Sequence, residues 1–416
     1  MVVSQVVGVG IFLTPATMMR TLGSPWTALA MWVAMGMLSA AGALCYAELS
    51  TRFPKAGGSY IYLREAYGPR SAFVYGWMAL LVMDPGLTAA LGIGFSQYLL
   101  ATVGAPPELT PPVAIVAIVA FGLLTLLGIG TSARAIQWTA VAKLSIVVVL
   151  VGAALIRLGE GDVPPQSVQP MPLTTGALAA SLIAAFFAFG GWWDLGRMGE
   201  EVESPRTTMP RALVGGLALV TAMYALVSVA YMLGASGPVS GTDDAFVLRV
   251  GASLFGRTAG YLLSAMVVVA VAGSLAAVLL GSPRVYVAMA RDGVFPERLA
   301  RFNAFRGTVP ASTIVQVLLA CGLVLLGTFN DILGYFVPCA VFFLGLSATA
   351  VLILPRPENG DVFRAPLHPL PIALFLVMVV SVLAMFFAGQ PRQTLIGALV
   401  AALGIPASWI VTSLRR

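Results

Sequence analysis

The sequence predicts an all-α polytopic membrane protein with about twelve transmembrane helices. Three observations carry that prediction. Of 416 residues, 59% are hydrophobic and 10% are charged, whereas a soluble chain carries about 25% charged residues. The apolar residues come in long unbroken runs such as LSIVVVLVGAAL and LLSAMVVVAVAGSLAAVLL, not in the short alternating strands of a lipid-spanning barrel. At about 20 apolar residues per crossing, this content supplies about twelve helices, the form in which lipid-exposed backbone satisfies its own polar groups. The composition argues against a soluble enzyme, a nucleic-acid-binding domain and a disordered scaffold.

Polar and Pro/Gly punctuation places the spans near residues 1–21, 26–50, 71–101, 111–130, 134–157, 173–199, 211–234, 259–288, 310–328, 330–354, 369–388 and 393–413. Taken alternately, the loops put 17 positive residues on one side and five on the other, which makes the first side cytoplasmic with both termini there. Arg197 is counted on that side, and Lys143 is the one positive residue left inside a span. Cys45, Cys321 and Cys339 sit in apolar stretches and offer no disulfide framework. The single histidine, His368, lies in a Pro-rich loop, so no metal site or cofactor is expected. Met1 opens directly into apolar sequence without the basic start of a signal peptide.

Span 1 reads VGVGIFLTP, with Gly8-Val9-Gly10 as a candidate helix break. If it unwinds there, the N–H groups of Val9, Gly10, Ile11 and Phe12 start a half-helix whose positive end suits a carboxylate. The carbonyls from Val6 through Val7 to Gly8 would face an ammonium. A tight helix crossing at small residues explains the same glycines equally well. Span 2 ends in CYAELSTRFPKAGGSYIYLREAYGP, and span 8 in SPRVYVAMARDGVFPERLARF. Glu48, Arg52, Arg64 and Glu65, with Arg284, Arg291 and Asp292, are candidates for gate ion pairs there, against the alternative of a solvated basic loop. Span 3 holds Asp84 before Pro85, which predicts a kink or a polar cavity. Lys143 stands about nine residues into span 5, too deep to snorkel easily. Span 6 carries the second pair of glycines, Gly190-Gly191, between Phe187 and Phe189 on one side and Trp192, Trp193 and Asp194 on the other. The two breaks lie five spans apart, an odd number of crossings, which inverts one unit relative to the other. Paired Gly interruptions at corresponding positions are a pointer to a transporter site at the midplane. No nucleophile–base constellation, H-E-x-x-H or phosphate-binding lysine motif accompanies them.

Four segments in order carry a resemblance: GVGIF, CYAELSTRFPKAGGSYIYLREAYG, FFAFGGWWDLGRMGEEVESPRTTMPRAL and SPRVYVAMARDGVFP. They resemble the amino acid–polyamine–organocation superfamily, in particular its L-type transporters and bacterial amino-acid permeases, over residues 1–320. The resemblance implies a LeuT-type fold of two inverted five-helix repeats, here 1–157 and 173–354, plus two peripheral helices at 369–413. It also implies a sodium-independent secondary transporter of amino acids in the cell membrane, an exchanger or proton symporter working by alternating access. The substrate carboxylate would meet the amides of Val9, Gly10 and Ile11. Its ammonium would meet carbonyls near Val6, Val7 and Phe187 to Gly190, with Phe187 as the aromatic gate. Lys143 matches a lysine that stands in the place of a sodium ion, and Lys143 and Asp84 are the coupling candidates.

The departures concern the same site. Val9 replaces a common serine, Trp193 and Asp194 replace Asn and Tyr, and Asp84 is acidic where members commonly are not. Two extra carboxylates raise the alternative of cationic amino acids or polyamines; a non-transporting sensor ranks below both. Residues 101–111 contain no cysteine, so no disulfide-linked subunit is expected, and nucleic acid is not expected as a partner. Seven residues before Gly8 is short for the family, which suggests a start placed late or a truncated chain.

Overall fold

The computed structural model describes residues 2–128, 133–160, 174–197, 199–234, 246–355 and 362–413. Span 1 divides into α1 (Val2–Val6) and α2 (Gly10–Leu22), and α3 (Pro25–Arg52) forms span 2. After α4 (Ser59–Tyr67), span 3 runs as α5 (Pro69–Met78), a π turn at Ala79–Met83 and α6 (Asp84–Val103). Spans 4 and 5 are α7 (Thr110–Leu126) and α8 (Ala133–Glu160). Span 6 is α9 (Thr175–Ala188), followed by tight helical turns at Trp192–Arg197 and Gly199–Glu201. The chain continues through α10 (Pro205–Gly234), α11 (Phe246–Phe255), α12 (Arg257–Gly281), α13 (Arg284–Arg291) and α14 (Glu297–Ala300). The last four spans are α15 (Pro310–Leu326), α16 (Phe329–Ile353), α17 (Leu370–Gly389) and α18 (Pro391–Ser413).

Proline opens α3, α5, α10, α15 and α18, where its missing N–H costs nothing and its fixed φ suits the first turn. Inside span 3, Pro85 cannot donate back along the helix, and the chain answers with the π turn just before Asp84. The expected irregularity is therefore present, and it lies within the bundle. α16 is closed at its start by reciprocal bonds between Thr328 and Asp331.

Among the described residues, eight helices are long and apolar enough to cross a bilayer on their own. Three of the other four expected spans fall short for separate reasons. Span 1 is broken at its glycines, and the described apolar stretches Val141–Ile156 of α8 and Pro310–Leu326 of α15 are shorter. Span 3 is central, with 78% of its apolar stretch buried, while α7 is peripheral at 28%. Small residues let helices approach closely: Gly122 of α7 would put a Cβ 2.7 Å from Val317 of α15.

Two segments read as loop ends are ordered helices. α4 buries Tyr60, Ile61, Tyr62 and Leu63 against the bundle, and α13 buries Tyr286 and Met289. Asp292, just after α13, accepts from Tyr60 (2.8 Å) and pairs with Arg64, while Arg291 pairs with Glu200 at 2.9 Å. Arg64, Arg291 and Asp292 thus form ion pairs joining three basic-side segments. Glu48 pairs with Arg52 and accepts from the Ala365 amide, so these two fasten the segment before α17. Partial burial opposes the Arg64 charge, yet the Glu65 and Asp292 carboxylates hold its pKa above the ordinary value. Arg291 holds Glu200 below the usual carboxylate range, so this exposed pair stays ionised at neutral pH and is lost only on acidification through that lowered pKa. Met1, residue 173, Met198, Arg356, Arg415 and Arg416, and the side chains of Arg20, Arg134, Arg157 and Arg249, lie outside the described residues.

Candidate functional site

The two glycine breaks meet. Phe12 and Leu13 both donate to the Val9 carbonyl at 3.1 Å, so Val9, Gly10 and Ile11 are the first-turn amides of α2 without a helical acceptor. The reading that grouped Phe12 with them is corrected, because the turn closes one residue earlier. On span 6, α9 ends at Ala188 and Gly191 takes φ +104°, a conformation that favours glycine. A Cβ on Gly191 would stand 3.2 Å from the Gln5 carbonyl, and a Cβ on Gly10 would stand 2.5 Å from Cα of Ala188. The absent side chains are what let the breaks touch.

Gly10→Ala is therefore expected to force the two backbones apart, an overpacking cost of about 1–3 kcal/mol. Uptake should fall at least tenfold, while Gly152→Ala, with open space around its Cβ, should be neutral. Parallel flux and thermal-unfolding measurements check this, and equal behaviour of the two variants would contradict it.

A residue not singled out in the sequence ties the breaks together. Tyr224 of α10 donates toward the Val6 carbonyl at 3.0 Å and the Ala188 carbonyl at 2.8 Å. Its ring packs on Phe189 (5.0 Å) and Trp32 (5.3 Å). From α6, Tyr98 donates to the Phe12 carbonyl at 2.6 Å. The Val6 carbonyl also accepts from Gly8 N at 2.7 Å, so both of its lone pairs are engaged.

Between the breaks lies a cavity of about 50 Å³. Of the residues expected at the site, Val6, Gly8, Val9, Gly10, Phe187, Gly190, Gly191, Trp193 and Asp194 line it. Gln5, Leu87, Leu91, Phe186, Phe336, Val337 and Ala340 join them. Val7 and Ile11 are buried beside it, and Phe189 points away onto Trp32 and Tyr224. Two residues along a helix is a turn of about 200°, so Phe187 and Phe189 cannot face the same way. Phe187 stands edge-on to Phe329 (5.4 Å) and Phe336 (6.3 Å), closing one side of the cavity.

The buried charges separate into two groups. Lys143 is fully buried on α8 and donates to Ser274 Oγ of α12 at 2.8 Å. That hydroxyl also lies 3.7 Å from a Cβ built on Gly8, which puts the ammonium in the corner of spans 1, 5 and 8. Asp84 instead accepts from Arg197 Nη1 (3.0 Å) and from the Tyr286 hydroxyl (2.6 Å). Arg197 Nε lies 3.0 Å from Asp194, and Nη2 lies 3.4 Å from the Tyr75 hydroxyl. The count that placed Arg197 in a basic-side loop is corrected: it is 4% exposed, because the turns after Gly191 fold it inward onto two carboxylates.

The comparisons bear on this arrangement directly. The model of the amino acid permease family matches residues 1–412. The chain belongs to the amino acid permease family. It is a secondary transporter of amino acids and not an enzyme. Relatives similar to it include the human cystine/glutamate transporter, 29% identical over 98% of this chain and 83% of its own length. The Bacillus subtilis serine/threonine exchanger SteT is 28% identical over 89% of this chain and 85% of its own length. The human b(0,+)-type amino acid transporter 1 is 28% identical over 92% and 80%, respectively. Among solved structures, MhsT in complex with L-phenylalanine superposes with a TM-score of 0.60 at 15% identity, over 92% of this chain and 97% of that one. That likeness establishes the all-α LeuT-type fold of this permease.

Proposed function

We propose that this permease is a sodium-independent transporter of α-amino acids, an exchanger or proton symporter, working by alternating access across the cell membrane. The observation that carries the reading is the contact of the two helix breaks around one cavity. The α2 amides at Val9, Gly10 and Ile11 offer donors and a positive helix end to a carboxylate. The Val7 carbonyl and those at Phe187 to Gly190 offer acceptors to an ammonium, Ala188 with the lone pair that Tyr224 leaves open, while Val6 is occupied by both Tyr224 and Gly8 N. Phe187 then acts as the gate, and Trp193 and Asp194 complete the wall. Lys143, bonded to Ser274 beside the span 1 break, supplies a fixed cation where sodium would otherwise sit. Repeats over 1–157 and 173–354, with 369–413 peripheral, place one break in each moving half, and both termini face the cytoplasm. No disulfide-linked subunit enters this reading.

Cationic amino acids or polyamines are the second reading, because Asp194 lines the cavity. Arg197 weakens it, since its guanidinium stands 3.0 Å from Asp194 and would repel a second cation there.

Competition against a labelled amino-acid mixture tests the recognition directly. Free α-amino acids should displace the label, whereas N-acetylated and methyl-ester derivatives should each fail by at least tenfold. Equal competition by either derivative would remove the zwitterion clamp, and displacement by diamines alone would favour the second reading.

A further inference from the structure

Asp84 and Arg197, both buried, and Asp194, partly buried, form a charged cluster that reaches the cavity at Asp194. Two carboxylates face one guanidinium, so the cluster carries one surplus negative charge in a medium that tolerates little of it. The geometry localises that surplus. Asp84 receives an aligned bond from Arg197 at 3.0 Å and another from Tyr286 at 2.6 Å. Asp194 Oδ1 is equally close to Arg197 Nε, but the two atoms are misaligned, and neither makes a hydrogen bond. Of the three residues, Asp194 lines the cavity. A buried carboxylate oxygen with no donor is an expensive arrangement unless a further positive charge visits it.

We infer that Asp194 is the proton-loading site of the transport cycle, positioned by Arg197, which Asp84 and Tyr286 hold in place. This rests on the transporter reading above and names the coupling ion and its acceptor. A proton delivered by cavity water forms an O–H bond at Asp194, cancelling the surplus charge. It returns to water when the cavity opens on the other side. A proton needs no added volume, whereas a cationic side chain brought to Asp194 would meet the Arg197 guanidinium, whose Nε already lies 3.0 Å from Oδ1. The groups facing Asp194 are Arg197 on its own turn and Asp84 and Tyr75 on span 3; Tyr286 of α13 bonds to Asp84, and Gln5 of α1 lines the same cavity. Lys143 is directed at Ser274 and serves as the fixed cation.

The test uses the full chain in sodium-free liposomes and reads the ratio of amino-acid uptake with an inward proton gradient to uptake without one. Wild type should give a ratio of at least five, with alkalinisation outside reported by a trapped-out pH dye. In Asp194→Asn the ratio should fall to about one whatever the absolute rate, and Asp194→Glu should restore it. Wild-type protein treated with a hydrophobic carbodiimide should be modified at Asp194, faster at acidic pH, with mass spectrometry locating the adduct. This readout stands even if a variant fails to fold. A ratio that survives Asp194→Asn, adducts found elsewhere with Asp194 bare, or a wild-type ratio of one with intact exchange would each overturn the inference. Absence of both exchange and net amino-acid flux would instead count against the transporter reading on which it rests.

Discussion

Arg197→Ala is expected to be the most destabilising single truncation of a charged residue in this permease. It would leave Asp84 and Asp194 buried with no cation between them, and Tyr286 and Tyr75 with a changed partner set. Breaking a buried pair by removing one member costs about 3–5 kcal/mol. The comparison is Arg291→Ala, which removes an exposed pair with Glu200 and should cost about 0–1 kcal/mol. Adding Asp84→Asn to Arg197→Ala should recover part of the loss, because one of the stranded charges is then gone. Thermal unfolding of the detergent-purified variants checks the order. Equal melting of Arg197→Ala and Arg291→Ala would show that the cluster does not hold the bundle together.

Lys143→Ala should have the largest effect on net flux with the least effect on fold. Lys143 is fully buried, and its ammonium reaches Ser274 Oγ at 2.8 Å beside the span 1 break. Removing it takes away a charge that the bilayer interior tolerates poorly, so stability need not suffer. The corner between spans 1, 5 and 8 would, however, lose the cation that holds it in each half of the cycle. Net uptake into empty vesicles should fall by at least tenfold while the melting temperature stays near that of wild type. Normal pH-dependent uptake by Lys143→Ala would remove its coupling role.

What the sequence made legible follows the chemistry of single residues. Close glycines at 8, 10, 190 and 191 mark backbone that cannot continue as an ordinary helix, and the structure brings the pairs together. Pro85 announced an irregular turn because it has no N–H, and a π turn stands there. Lys143 announced its depth by lying mid-span. What remained hidden depends on partners far apart in the chain. Arg197 is followed by MGEEVESPR, which looks like the start of a solvated loop, and its partner Asp84 is 113 residues away. Tyr224 is one tyrosine in an apolar span, and nothing local says that its hydroxyl joins two broken helices. Phe187 and Phe189 both flank the glycines and look equivalent in the sequence, and only the helical phase separates them. α4 and α13 resemble loop ends in the sequence because their charges are conspicuous, while their buried faces are short.

The most direct measurement is uptake of a labelled amino-acid mixture by the reconstituted protein in sodium-free liposomes. Vesicles would be empty or preloaded with amino acids, each with and without an inward proton gradient. The account predicts flux without sodium in preloaded vesicles, and accumulation in empty vesicles that collapses with the gradient. Uptake that appears only when sodium is added would contradict it, because Lys143 would then not be standing in the place of that ion.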